Sequence, residues 1–145
     1  MKNKILFICV HNSARSQMAE AFVNQMCAGE FEAESAGLHP GRLNPIVVEA
    51  MLEAGIDISG HGTQSVDDVV RSGRSFTHVV TVCSEAEAEG CPYFPGMGER
   101  LHWPFPDPST LTGSDDEKLV RVREIRDLIR AKVAGFCAEA CAIAT

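Results

Sequence analysis

The chain has 145 residues, which is near the usual size of one domain, and we expect a single domain over residues 1–145. Its composition, 45% hydrophobic and 23% charged, is typical of a soluble globular protein. No apolar run approaches the roughly 18 residues that a membrane span needs, and the N-terminus lacks the pattern of a signal peptide, so we expect a cytoplasmic protein. The formal net charge of −7 argues against nucleic-acid binding and requires any bound anion to be held by local groups.

Residues 4–28 predict a strand, a tight loop and a helix in succession. The apolar run of residues 5–10 is too short for a helix and rich in strand formers, which indicates a buried parallel strand. From Met18 onward the apolar residues are spaced by three and four, which predicts an amphipathic helix over residues 16–28. Cys9 then lies near the carboxyl end of the strand, where open α/β sheets bind their ligands.

The loop after this strand has the residue types that hold an oxyanion. The first N–H groups of a helix have no partners within it and can bind an anion, and Arg15 adds a planar set of donors suited to a tetrahedral oxyanion. The same positive field favours the thiolate form of Cys9, which is a nucleophile. Asn12 tolerates the left-handed backbone that such a loop needs, and the hydroxyls of Ser13 and Ser16 can donate to the anion or to the sulfur. The alternative is a buried core cysteine without a chemical role.

The rest of the chain continues the alternation of strands and helices. Residues 31–35 and 77–83 predict two further strands, and residues 101–103 predict a short fourth strand. The remaining predicted elements are three helices, over residues 46–54, 65–71 and 115 to about 140. Helix starts are marked by Asn44 with Pro45 at the first position, by Ser65, and by Ser114 with Glu117 as a capping box.

Two more cysteines are candidates for redox chemistry with Cys9. If the first and third strands are parallel neighbours, Cys83 lies at the same sheet edge as Cys9 and could reach it after a modest loop movement, because neighbouring strands are roughly 4.8 Å apart. Cys91 follows a short polar segment, residues 85–90, that is a candidate for local rearrangement. The alternatives are two unrelated small hydrophobic residues, or a metal site, which would need two more close ligands.

The other three cysteines predict no chemistry. In a reducing compartment the six cysteines of the chain are expected to be catalytic, metal-binding or buried rather than joined in structural disulfides. We expect Cys27 to pack in the core, and Cys137 and Cys141 to pack there or to lie in a frayed tail. An additional redox pair is the minor alternative.

Two titratable residues lie in predicted loops. Asp107 stands between Pro106 and Pro108, whose rings stiffen the backbone and would fix the carboxyl group as a general acid requires, although an exposed turn residue is the plainer interpretation. His61 lies in a Gly-rich turn. We expect it to be solvated or bonded to the backbone rather than in contact with a substrate.

The stretch Cys9-Val-His-Asn-Ser-Ala-Arg15-Ser-Gln-Met-Ala-Glu20 resembles the loop and first helix of arsenate reductases of the low-molecular-weight tyrosine phosphatase fold. The phosphatases share the Cys-x5-Arg-Ser core, and the continuation to Glu20 is similar to the reductase branch. Asn44-Pro45, residues 56–61 and the Trp-x-x-x-Asp-Pro pattern ending at Pro108 also resemble this family, so the likeness covers nearly the whole chain. It implies an α/β fold with one four-stranded parallel sheet, in the order 2-1-3-4, flanked by helices.

The resemblance also implies a reaction. Arsenate would be reduced to arsenite by a relay of three cysteines, in which Cys9 attacks arsenic, Cys83 attacks Cys9, and Cys91 attacks Cys83, with Asp107 as the general acid. The residues that would bind the oxyanion are Val10, His11, Asn12, Ser13, Ala14, Arg15 and Ser16. An external dithiol, thioredoxin, would reset a monomeric enzyme that carries no bound cofactor.

Two positions in the loop depart from relatives. Ala14 stands where many carry a second loop cysteine, which excludes a disulfide within the loop, and His11 replaces a common glycine. Asn12, Glu20 and Ser35 match positions at which some relatives bind potassium. Because Gln64 replaces an acidic ligand there, we assign no metal.

Two other functions compete with arsenate reduction. A tyrosine phosphatase would use Cys9, Arg15 and Asp107 alone, but such enzymes usually place aromatic residues beside the acid, and here Ser109 and Thr110 follow Pro108. The second alternative is a non-catalytic module that binds an oxyanion or senses redox state.

Overall fold

The computed structural model describes residues 3–83 and 97–144. Cys91 and the polar segment 85–90, to which the sequence assigned a role in the relay, lie outside these residues. Within the described part, no helix combines the length and apolarity needed to cross a membrane.

Four parallel strands form one sheet. They are β1 (Asn3–Cys9), β2 (Phe31–Gly37), β3 (Phe76–Thr81) and β4 (Met97–His102). Their order is β2-β1-β3-β4, as the family resemblance implied. Ile8 in β1 is in register with Ala36 in β2 and with Thr81 in β3, so the carboxyl ends of the three strands meet at one edge.

Four α-helices lie in the described residues: α1 (Arg15–Met26), α2 (Pro45–Glu53), α3 (Val66–Arg71) and α4 (Asp115–Ala144). The predicted N-caps are confirmed. Oδ1 of Asn44 accepts a hydrogen bond from the N–H of Ile46 at 3.0 Å, and the hydroxyl of Ser65 accepts one from Asp68 at 3.0 Å. The Ser114 hydroxyl likewise accepts from the N–H of Glu117 at 3.2 Å. These bonds satisfy N–H groups that the first helical turn leaves without a partner.

The observed element boundaries differ from the predicted ones where strand pairing does not follow the apolar pattern of the sequence. β3 ends at Thr81 rather than at Cys83, because its pairing with β4 ends at the Thr81–His102 register, although the N–H of Val82 still donates to the carbonyl of Ile8 in β1. β4 begins at Met97, four residues before the predicted start, since polar residues at this edge pair in the ladder although they lack the alternation of a strand. The last helix continues to Ala144.

The central strand β1 is buried on both faces from Ile5 to Cys9, which is why its sequence is a continuous apolar run. Ile5, Phe7 and Cys9 face a large cluster that includes residues of α1, α2 and α4, whereas Leu6 and Ile8 face a smaller cluster that includes residues of α3. The five residues from Ile5 to Cys9 are all at most 3% exposed. Cys9 therefore ends a rigid strand on the same side of the sheet as α1.

A disulfide joins Cys27, just after α1, to Cys137 in α4, with the two Cα atoms 5.9 Å apart. The expectation that these cysteines only pack in the core is wrong, and so is the expectation that disulfides are absent. Both residues are buried, but the packing of α1 against α4 also brings them face to face. The two cysteines are 110 positions apart, and no local sequence pattern indicates that α1 and α4 are in contact. Cys141 lies one turn further along α4, and its side chain is not among those described.

Candidate active site

The loop between β1 and α1 has the backbone conformation that the sequence predicted. Asn12 has φ of 54°, in the left-handed region that asparagine tolerates better than most residues. The Asn12 side chain is fully buried, and its three polar contacts hold the loop from behind. Nδ2 donates to the hydroxyls of Ser16 and Ser35, each at 2.9 Å, and Oδ1 accepts from the N–H of Gln64 at 3.0 Å.

The sulfur of Cys9 has two polar partners. The N–H of Asn12 donates to it at 3.2 Å, and the Oγ of Ser16 lies 2.9 Å away. Because Ser16 Oγ already accepts from Asn12, its own hydrogen can point to the sulfur. The sulfur is therefore held by two hydrogen-bonding partners at the start of the loop, in a fixed position for a nucleophile.

The carbonyl groups of the loop are turned away from the sulfur, toward residues 38–44. The carbonyls of Cys9, Val10, His11 and Ser13 accept hydrogen bonds of 2.7–3.1 Å from the N–H groups of Leu38, His39, Gly41 and Asn44. In a planar trans peptide the N–H points opposite to the C=O. The unit joining His11 to Asn12 shows the result, because its carbonyl accepts from Gly41 while its N–H reaches the Cys9 sulfur. By binding these carbonyls, segment 38–44 orients the N–H groups of the loop toward the side on which the Cys9 sulfur lies.

Gly37 leaves the space that this loop needs. A Cβ at this position would lie 2.8 Å from Asn12 N and 2.8 Å from Val10 O, which are backbone atoms that cannot step aside. Neither Gly37 nor segment 38–44 was predicted from the sequence to shape the Cys9 loop. An isolated glycine at the end of a strand is a signal of close backbone approach and could have indicated the first.

Arg15 is the first residue of α1 and is 4% exposed. Its Nη1 donates to the carbonyl of Phe105 at 3.3 Å, and its Nη2 lies 3.7 Å from Oδ2 of Asp107. The loop that carries Asp107 therefore lies against the guanidinium beside the Cys9 loop. The carboxyl group is partly exposed, and a short 3-10 turn, Pro108–Thr110, follows it.

Cys83 lies close to this edge of the sheet. It is 1% exposed, is not in a disulfide, and belongs to the same buried cluster as Cys9. The backbone connects the two positions directly, since the N–H of Val82 donates to the carbonyl of Ile8 at 2.9 Å. The structure thus brings Cys9, Arg15, Cys83 and Asp107 to one region of the molecule.

A polar network extends from Asn12 to Glu20. The Ser35 hydroxyl accepts from Asn12 and donates to Oε1 of Glu20 at 3.2 Å. Burial raises the pKa of Glu20 from 4.5 to about 7, against the opposing effect of the Ser35 hydrogen bond. Nδ1 of His61 lies 3.3 Å from Oε2 of Glu20 and 3.2 Å from Oε1 of Gln17. His61 is exposed to solvent, as the sequence predicted, but packing of its turn against α1 also gives its ring two side-chain partners that were not predicted.

The residues at the positions where some relatives bind potassium lie close together here. The polar atoms of the Gln64 side chain, however, are already used in hydrogen bonds. Nε2 of Gln64 donates to the carbonyl of Ser35 at 2.8 Å, and a guanidinium nitrogen of Arg74 donates to Oε1 of Gln64 at 3.3 Å. An amide and a guanidinium do not form the oxygen-rich, anionic ligand set that a hard cation prefers. Across residues 3–83 and 97–144 there is also no group of three or more His, Cys, Asp or Glu side chains that could hold a metal.

Comparison with known proteins identifies the family. The family described as "Low molecular weight phosphotyrosine protein phosphatase" matches residues 4–142. An arsenate reductase of Bacillus subtilis (strain 168) is 39% identical over 137 residues, covering 94% of this chain and 96% of the relative.

Two solved structures extend the comparison to the fold. An arsenate reductase in the phosphate binding state is 29% identical, covers 97% of this chain and 99% of its own, and superposes with a TM-score of 0.75. A thioredoxin-dependent arsenate reductase of Corynebacterium glutamicum is 28% identical, covers 91% of this chain and 62% of its own, and has a TM-score of 0.61. The chain therefore belongs to the low molecular weight phosphotyrosine protein phosphatase family, and within it to the arsenate reductases.

Proposed function

We propose that this chain, acting as a monomeric cytoplasmic unit of residues 1–145, reduces arsenate to arsenite by a relay through Cys9, Cys83 and Cys91. The observation that carries the proposal is the Cys9 sulfur, which has two hydrogen-bonding partners in an anion loop, together with a second buried thiol, Cys83, two residues beyond the end of the neighbouring strand β3. A hydrolytic phosphatase needs the first feature but has no use for the second.

In the first step arsenate binds to the N–H groups of residues 10–16 and to the Arg15 guanidinium, which suits a tetrahedral oxyanion. The thiolate of Cys9 attacks arsenic and forms an arsenic–sulfur bond. Asp107 protonates the departing oxygen, which leaves as water. The Asp107 carboxyl group lies beside Arg15, next to the loop that would hold the departing oxygen, and this placement supports the role.

The second step transfers the electrons. The thiolate of Cys83 attacks the Cys9 sulfur, the arsenic–sulfur bond breaks, and its electron pair passes to arsenic, which leaves as arsenite. Two thiols have then lost two electrons in forming a Cys9–Cys83 disulfide, and arsenic has gained two. Cys91 next attacks Cys83 and releases Cys9, leaving a Cys83–Cys91 disulfide.

An external dithiol of the thioredoxin type resets the relay, so that no bound cofactor is required. The corynebacterial relative is described as thioredoxin-dependent, which supports this choice of reductant. In the overall reaction one dithiol becomes a disulfide for each arsenate reduced.

A coupled assay with thioredoxin, thioredoxin reductase and NADPH tests the proposal. Wild-type protein should oxidise NADPH in proportion to added arsenate over many turnovers. Cys83→Ser should stop turnover but retain slow hydrolysis of p-nitrophenyl phosphate, because that reaction needs only the Cys9 loop and the acid. Cys9→Ser is the matched control, since it should abolish both reactions.

Other outcomes of this assay favour the competing functions. Normal arsenate turnover by Cys83→Ser would refute the relay. Phosphate-ester hydrolysis by wild-type protein without any arsenate turnover would indicate a phosphatase, and the absence of both activities would indicate an oxyanion-binding or redox-sensing module. Mass-spectrometric mapping after one turnover should find Cys83 joined to Cys91, and any other new pair would contradict the last step.

A further inference from the structure

A cavity lies between the sheet and the second half of α4, and it extends from the amino ends of β1 and β2 to the carboxyl end of β4. It has a volume of about 750 Å³. Asn3, at its edge, is the first residue of β1, and Phe31, with which it is in register, is the first residue of β2. Cys9 ends the same strand, roughly 20 Å away at the usual rise of a strand. The proposed reaction makes no use of this cavity.

Four rings make up its apolar wall. Phe136 is the central ring, with centroids 5.1 Å from Phe31, 5.7 Å from His78 and 5.5 Å from Trp103. Phe31 and His78 also meet edge to face at 5.7 Å. Phe31 and Trp103 are buried, so Phe136 and His78 are the rings of this cluster that a ligand can reach. The volume lies within the range of small-molecule sites.

The charged groups around these rings are mostly acidic. Glu30, Glu99 and Glu139 line the cavity and bring three carboxylates, against the single ammonium group of Lys132. The chain itself already places that cation on an aromatic face, because Nζ of Lys132 lies 5.5 Å from the centroid of the Trp103 ring. Ring faces attract cations, and the attraction grows when a hydrophobic body excludes water from them.

We propose that this cavity is a binding site for a small organic cation with a flat aromatic body. The half-buried rings of Phe136 and His78 would contact the body, and the positive charge would lie near the carboxylates of Glu99 and Glu139. The ammonium group of Lys132 interacts with the same carboxylates and rings as a bound cation would, so Lys132 lowers the affinity of the cavity for a cation. This site is separate from the Cys9 loop, and its existence does not depend on the proposed reaction.

Thioflavin T, a permanently cationic benzothiazole, is a suitable probe, and its uncharged demethylated analogue is the matched control for charge. Trp103 is the only tryptophan in the chain, so quenching of tryptophan emission reports binding at this cavity. We expect saturable one-to-one quenching by the cation, with an affinity about tenfold higher than that of the neutral analogue. Saturating phosphate should not displace it, because phosphate would occupy the Cys9 loop.

Variants locate the site. Phe136→Ala should weaken thioflavin binding about tenfold, and Glu99→Gln combined with Glu139→Gln should remove the preference for the charged probe. Lys132→Gln should strengthen binding of the cation several-fold and leave the neutral analogue unchanged. Leu128→Ala, at an exposed apolar residue elsewhere on α4, is the control and should have no effect.

Each alternative outcome overturns the proposal. Equal affinities of wild-type protein for the two probes would exclude a charge-selective site, and quenching without saturation would exclude a defined site. Unchanged thioflavin binding by Phe136→Ala would place the probe elsewhere. Should Phe136→Ala fail to fold by circular dichroism, Phe136→Leu preserves an apolar side chain of similar size and must still weaken the cation more than the neutral analogue.

Discussion

Reduction of the Cys27–Cys137 disulfide should lower the free energy of unfolding substantially. The bridge closes a loop between residues 110 positions apart, and a cross-link stabilises a protein mainly by restricting its unfolded chain. The chain-entropy relation gives about 5 kcal/mol for a loop of this length at 25 °C. At an m-value of about 2 kcal/mol per molar urea, the midpoint of unfolding should fall by about 2 M on reduction.

Urea unfolding followed by Trp103 fluorescence measures this difference on the same polypeptide, with and without a phosphine reductant. Alkylation in urea without reductant should modify Cys9 and Cys83 and leave Cys27 and Cys137 protected. The double variant Cys27→Ala, Cys137→Ala is the control, because its midpoint should not respond to the reductant. A wild-type shift below about 0.5 M, or alkylation of all six cysteines, would refute the reasoning.

Three further predictions concern the Cys9 loop and its surroundings. Ser16→Ala removes a hydroxyl 2.9 Å from the Cys9 sulfur, and the rate of alkylation by iodoacetamide at neutral pH should fall about tenfold, since hydrogen bonds to charged groups contribute roughly 1.5–3 kcal/mol. Gly37→Ala places a methyl group 2.8 Å from the loop backbone, and inhibition by phosphate should weaken at least about tenfold as the loop is displaced. Because burial raises the pKa of Glu20 to about 7, the folded state binds more protons than the unfolded state between pH 4.5 and 7, and stability should fall as pH rises through that window. Glu20→Gln should remove about 3 kcal/mol of that dependence in urea titrations at several pH values.

Each of these has a control in the same chain. Ser65→Ala loses a hydroxyl that caps α3, and it should leave the alkylation rate at Cys9 unchanged. Gly29→Ala adds a methyl group with nothing within 4 Å and should retain normal phosphate inhibition. If a control variant changed the alkylation rate or the phosphate inhibition as much as its test variant does, the effect would be general rather than specific to the Cys9 loop. A Glu20→Gln protein with the same pH dependence as wild type would show that Glu20 is not the titrating group.

The local parts of this protein are determined by the sequence alone. The strand, loop and helix over residues 3–26, the left-handed Asn12 and the N-caps Asn44 and Ser65 were all predicted. These features depend on residues within a few positions of one another, whose hydrophobic spacing, backbone preference and capping hydrogen bonds act before any distant contact forms. The parallel sheet order was predicted only through resemblance to a known family.

The contacts between groups that are distant in the sequence are established only by the tertiary structure. The carboxylate of Asp107 lies beside Arg15, the turn that carries His61 packs on Glu20, and Cys27 pairs with Cys137 because α1 packs against α4. Gly37 matters because the backbone of the Cys9 loop passes over it, which depends on the fold of residues 38–44. Such contacts follow from strand order and helix packing, which no periodicity along the chain encodes. The residue types were visible in the sequence, but their distances arise only when the sheet and its helices are assembled.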